Sequence, residues 1–121
     1  MTLLDLFDRS LVGHGESVGL EYAPPGCSPQ CWTFGEIERR SNRWANLLAR
    51  RGLVHGDRLA VYLSNCVELV ELYLACVKLG VLFVPINILY RDWELAHILR
   101  DAEPKAMVVA DDSFGAYASV V

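Results

Sequence analysis

Arg91 is the residue best placed to meet an anion. It stands in the loop Asn87-Ile88-Leu89-Tyr90-Arg91, directly after an apolar, β-branched run. The carboxyl end of such a strand is where ligands of open α/β sheets sit, and a guanidinium there can pair with a phosphate. An ordinary surface arginine near a helix start fits the same pattern. Asp111-Asp112 is a second candidate, since paired carboxylates at a strand end can bind magnesium or accept a phosphoryl group; with Ser113 they read equally as the cap of a following helix. Arg39, Arg40, Arg43, Arg50 and Arg51 form a third group, either an anion site or the solvated face of a helix on which Glu36 and Arg40 pair at i,i+4.

Other reactive residue types do not assemble into chemistry. Cys27 and Cys31 are separated by three residues, with no second pair or histidine cluster at ligand spacing, so no zinc site is expected; Cys66 and Cys76 sit in apolar segments as small buried hydrophobes. His14, His55 and His97 lie far apart, and none has a nucleophile beside it. There is no G-x-G-x-x-G and no G-x-x-x-x-G-K-[ST]. The residues by themselves therefore assign no catalytic group and no metal ligand.

The elements that must position these residues follow from periodicity. Leu3, Leu4, Leu6 and Phe7 make a short amphipathic helix expected to dock through those positions. Val18–Tyr22 and Cys31–Thr33 read as strands of a hairpin around Pro24-Pro25-Gly26-Cys27-Ser28-Pro29. Thr33 and Glu36 have capping-box spacing, so a helix starts there, runs through Ile37, Trp44, Ala45 and Leu48, and stops at Gly52. Leu59–Leu63 is a continuous apolar run, the pattern of a parallel strand covered on both faces. Asn65 and Glu68 are expected to cap the next helix, which is apolar except for a narrow stripe at Glu68, Glu71, Ala75 and Lys78. Val81–Ile86, a helix over Asp92–Ala102 ended by Pro104, a strand over Lys105–Ala110 and a helix from Ser113 complete the pattern. Alternating strands and helices with short connections specify an α/β fold, a doubly wound, mostly parallel sheet with flanking helices.

Composition limits function. With 121 residues, 53% hydrophobic and 21% charged, the chain suits one globular domain and is too short for a complete large catalyst. A net charge of −4, from 11 basic and 15 acidic side chains, offers no field for nucleic acid. Asp5 and Asp8 interrupt any secretory apolar core, and Lys78-Leu79-Gly80 with Pro85 divides the apolar stretch 72–90 into a helix tail and a strand rather than a transmembrane span. A cytoplasmic location fits this cysteine usage best.

Four words in order carry a family resemblance: Trp32-Thr33-Phe34-Gly35-Glu36, Gly56-Asp57-Arg58-Leu59-Ala60-Val61-Tyr62-Leu63-Ser64-Asn65, Lys78-Leu79-Gly80 through Pro85-Ile86-Asn87, and His97-Ile98-Leu99-Arg100-Asp101-Ala102-Glu103-Pro104. From Leu3 to Val109 the chain resembles the amino-terminal stretch of acyl-CoA synthetases, in the adenylate-forming superfamily. The resemblance implies an ATP-dependent ligase of fatty acid metabolism type that joins a carboxylic acid to AMP and passes the acyl group to coenzyme A, with magnesium accompanying ATP. It implies that residues 1–121 are a single N-terminal α/β subdomain of the AMP-binding large domain, with 1–31 a helix and hairpin lead-in and 32–121 βαβ units, stopping before the phosphate loop. On that reading the chain alone is inactive, binds no cofactor by itself, and self-associates or packs against downstream segments. Arg91 resembles a position at which some members contact the nucleotide part of coenzyme A. The alternative reading is a stand-alone, non-catalytic binding or signalling module built on Asp111 and Asp112.

Overall fold

A computed structural model of the chain describes residues 3–23, 26 and 28–110. Asp111, Asp112, the helix expected from Ser113, and Cys27 lie outside the described residues. The chain opens with helix α1 (Leu3–Leu11), then hairpin strands β1 (Val18–Tyr22) and β2 (Gln30–Thr33), antiparallel with Tyr22 opposite Gln30 and Val18 opposite Thr33. The register shifts between Val18 and Leu20, around Gly19. A Cβ on Gly19 would lie 2.5 Å from Phe34 Cδ1, so the absent side chain is what lets the Phe34 ring approach the strand. α1 docks less completely than its pattern suggests: Leu4 faces a cavity shared with Leu20, Phe34, Val70 and Leu74, whereas Leu3 and Leu6 stay about half exposed at 47% and 48%.

Helix α2 (Phe34–Arg50) begins at the expected capping box. Thr33 Oγ1 accepts the Glu36 N–H at 3.1 Å, and Glu36 Oε1 accepts the Thr33 N–H at 3.2 Å. Its inward residues are Ile37, Ser41, Ala45 and Leu48, so the buried stripe contains a serine the apolar pattern does not reveal. The helix closes at Arg51, followed by Gly52 at φ +91°, a left-handed backbone that favours glycine.

Strand β3 (Arg58–Tyr62) lies at the centre of a three-stranded parallel sheet, between β4 (Leu82–Pro85) and β5 (Ala106–Val109). Leu59 pairs with Phe83 on one side and with Ala106 on the other. Helix α3 (Val67–Leu79) connects β3 to β4, and α4 (Asp92–Ala102) connects β4 to β5. Because strand side chains alternate, Leu59 and Val61 pack with Leu48 of α2 and with Leu72, Ala75 and Cys76 of α3; Ala60 and Tyr62 pack on the other face with Leu95, Ile98 and Leu99 of α4. Helices therefore cover both faces, as the continuous apolar run of β3 requires, and the doubly wound α/β expectation holds.

Three local expectations are corrected. The N-cap of α3 is Cys66, extended at φ −157° and ψ 168° with no side-chain cap, so Asn65 falls one residue outside the helix and Glu68 is its second residue rather than its third. The supposed polar stripe of α3 is not a solvent face either, because Glu71 and Ala75 are buried at 1% and 0% against α2. Glu36 is committed to its cap, and Arg40 pairs instead with Glu71 Oε2, whose second oxygen accepts the Trp44 indole N–H at 3.0 Å. Lys78 completes the seam, donating to Ser41 Oγ at 2.8 Å and Asn42 Oδ1 at 2.6 Å and pairing with the Glu38 carboxylate at 3.0 Å. Among the described residues, no helix is long and apolar enough to cross a membrane.

Candidate functional site

Parallel strands ending together leave a depression beyond their carboxyl ends, and β3 and β4 do so here. A cleft of about 510 Å³ opens between Leu63, Asn65 and Leu69 on one side and Ile86, Asn87, Ile88 and Leu89 on the other. That volume suits a small molecule or part of a larger one. Among the described residues its walls are apolar apart from the amides of Asn65 and Asn87, with no titratable side chain. Both asparagines also hold the rim: the Asn65 carbonyl accepts the Tyr22 hydroxyl at 3.3 Å, and Asn87 Oδ1 accepts the Leu89 N–H at 2.9 Å, an Asx-type turn. The Asn87 carbonyl also accepts the Tyr90 N–H at 3.0 Å. These described lining residues can bind and orient a ligand but cannot move a proton. They include no lysine, arginine or carboxylate, so they do not by themselves fit a triphosphate or its magnesium.

Arg91 lies at the end of the loop that forms one wall, as expected, but β4 is an edge strand among the described residues and β3 alone is interior. One nitrogen of its guanidinium is already engaged. Arg91 Nη1 donates to Tyr62 Oη at 2.7 Å, to the Tyr90 carbonyl at 2.9 Å, and to the Ile88 carbonyl. The Tyr62 hydroxyl reaches the same two carbonyls, at 2.6 Å for Tyr90 and 3.1 Å for Ile88. Tyr62 is fully buried, and its sequence context showed only an apolar strand residue. The one signal was the phenol itself, since a buried tyrosine hydroxyl needs a partner.

Among the described residues, the remaining candidates do not converge on this cleft. Arg40 is taken up by Glu71, while Arg39, Arg43, Arg50 and Arg51 are exposed; an open groove of about 290 Å³ lies along Arg40, Arg43, Trp44 and Leu47. His97 stacks on Trp93 with ring centroids 5.8 Å apart and faces Asp101 at 3.2 Å, on the exposed side of α4. The family-like words Gly56-Asp57-Arg58 and Glu103-Pro104 meet at the opposite, amino end of the sheet. Arg58 Nη2 donates to the Glu103 carbonyl at 3.0 Å and its Nε to that of Ala102, capping the end of α4. Asp57 Oδ2 accepts the Val54 N–H at 2.7 Å and pairs with Lys105 at 3.3 Å; the Val54 bond chiefly, aided by Lys105 and Arg58, holds its carboxyl below the ordinary value despite some desolvation. Those residues hold the scaffold together and do not line the strand-end cleft.

The family profile described as AMP-binding enzyme matches residues 8–120. The chain belongs to the AMP-binding enzyme family. Among its family relatives, acyl-CoA ligase SID4 of Ajellomyces capsulatus is 36% identical over 78 residues, 64% of this chain and 13% of that protein. Long-chain fatty acid transport protein 1 of Bos taurus is 31% identical over 119 residues, 98% of this chain and 18% of that protein. The chain thus spans less than a fifth of either relative. ATP-bound MatB from Rhodopseudomonas palustris superposes with a TM-score of 0.84 at 32% identity, covering 99% of this chain and 23% of that one. VinN in complex with 3-methylaspartate gives a TM-score of 0.89 at 24% identity over 100% of this chain and 33% of its own, a likeness of fold.

Proposed function

We propose that this chain is the amino-terminal part of an AMP-forming acid–thiol ligase, an acyl-CoA synthetase. In that enzyme ATP and magnesium convert a carboxylic acid to an acyl adenylate with loss of pyrophosphate, and the acyl group then passes to the coenzyme A thiol. The observation that carries this reading is the family match along 8–120, alongside an acyl-CoA ligase as a relative. The role of this segment is scaffold and cleft wall: among the described residues its strand-end cleft has apolar walls, two amides and no acid, base or phosphate-binding group. Exposed Leu82, Leu89 and Trp93, at 56%, 77% and 74%, support packing against further polypeptide or a second copy. We place the enzyme in the cytoplasm, which suits the free, exposed Cys31 thiol.

Carboxylate-dependent ATP–pyrophosphate exchange tests the reading. It is to be measured with a panel of aliphatic and aromatic acids, on the 121-residue chain and on the longest polypeptide its gene encodes. Acid-dependent exchange by the longer polypeptide and none by the 121 residues is the expected result. Exchange by the 121 residues alone would overturn the scaffold role, and none in either would overturn the ligase.

A further inference from the structure

Beside the packing of Ile88 on the core, the side-chain hydrogen bonds that hold the cleft-wall loop beyond β4 to the sheet converge, among the described residues, on Tyr62 and Arg91. Tyr62 belongs to the central strand and is fully buried, so its hydroxyl is fixed in the rigid part of the fold. From there it meets the carbonyls of Ile88 and Tyr90, and Arg91 Nη1 meets the same two carbonyls and the hydroxyl itself. One phenol hydrogen and two Nη1 hydrogens thus serve two carbonyls and one hydroxyl oxygen, so that each of these groups orients the others. Ile88 and Leu89, inside this set's reach, are cleft-wall residues, whereas neither Tyr62 nor Arg91 lines the cleft.

We propose that Tyr62 and Arg91 are positioning residues: together they clamp the 87–91 loop onto the sheet and so set the shape of the strand-end cleft. Arg91 acts on a bound ligand through the loop, not by touching it. The functional consequence rests on the ligase reading; the clamp itself does not.

Tyr62→Phe removes one oxygen and keeps the buried ring, and Arg91→Gln keeps a hydrogen-bond donor while removing the charge. In the 121-residue chain, amide hydrogen exchange at Leu89 and Tyr90 is expected to rise about fivefold in each variant, the scale of one lost hydrogen bond. Unchanged exchange in both overturns the clamp. In the full-length ligase, kcat and KM are measured with ATP, acid and thiol varied in turn. Each single variant is expected to raise the KM of the same substrate by about fivefold with kcat held within about twofold, and the double variant to be no worse than the worse single, because the two side chains act as one unit. If Arg91→Gln raises one KM by about a hundredfold while Tyr62→Phe is silent, Arg91 touches that substrate directly and the proposal is wrong. Kinetic constants untouched by either variant overturn it as well. Should the unaltered full-length protein show no acid-dependent exchange, the ligase reading fails, and the amide measurement still decides the clamp.

Discussion

Replacing Arg40 by methionine should destabilise the chain more than replacing its partner Glu71 by methionine. The two side chains form one ion pair but are unequally buried, with 40% of Arg40 exposed and 1% of Glu71. Without Arg40, Glu71 is a carboxylate buried between α2 and α3 whose remaining partner is the Trp44 N–H. Stranding a buried charge costs about 3–5 kcal/mol, and partial access of water through the space Arg40 leaves lowers this to about 2–3 kcal/mol. Without Glu71, by contrast, Arg40 can turn its guanidinium into solvent, and the chief loss is the Trp44 hydrogen bond, about 1 kcal/mol, partly offset by burying methionine. The double replacement, which strands no charge, should cost less than Arg40→Met alone. Urea unfolding followed by tryptophan fluorescence reads this directly: with a slope of about 2 kcal/mol per molar, Arg40→Met should lower the midpoint by about 1 M and Glu71→Met by about half that. Equal losses, or a greater loss for Glu71→Met, would show that the seam is not organised around a buried carboxylate.

Two further outcomes follow from the titratable groups. The Asp57 carboxyl is depressed below its ordinary value of 3.8, so its ionised form stabilises the fold above about that pH and the contribution fades as pH falls through the lower folded value. Thermal melts should therefore show Asp57→Asn less stable than the unaltered chain at pH 7, with the gap closing below pH 3.8; a gap that widens in acid would reverse the assignment. Burial pushes the Cys76 thiol up to about 11 and, with Glu68 nearby, raises that of Cys66, while Cys31 is exposed. Alkylation at pH 8 mapped by peptide mass spectrometry should modify Cys31 first, Cys66 later and Cys76 last, and comparable rates at Cys31 and Cys76 would contradict the buried packing of α3 on the sheet.

Local chemistry was legible without coordinates wherever its causes lie within a few residues. Thr33 and Glu36 cap each other across one turn, Gly52 and Gly80 stop helices by adopting a backbone other residues resist, and the uninterrupted apolar run at Leu59–Tyr62 demands cover on both faces. The α/β class and the position of Arg91 at a strand end followed from those signals. Partner choice did not. Arg40 bonds a residue 31 positions away instead of Glu36 one turn back, Tyr62 meets carbonyls 26 and 28 positions on, and Arg58 caps a helix end 44 and 45 positions later. A sequence states which groups can donate and accept, but which of them meet depends on how helices and strands pack, because a buried donor takes whatever acceptor the packing brings within reach. That is why Glu71 looked like solvent-facing charge and Tyr62 like plain core, and why only the tertiary structure made one the centre of a helix seam and the other an anchor for the cleft wall.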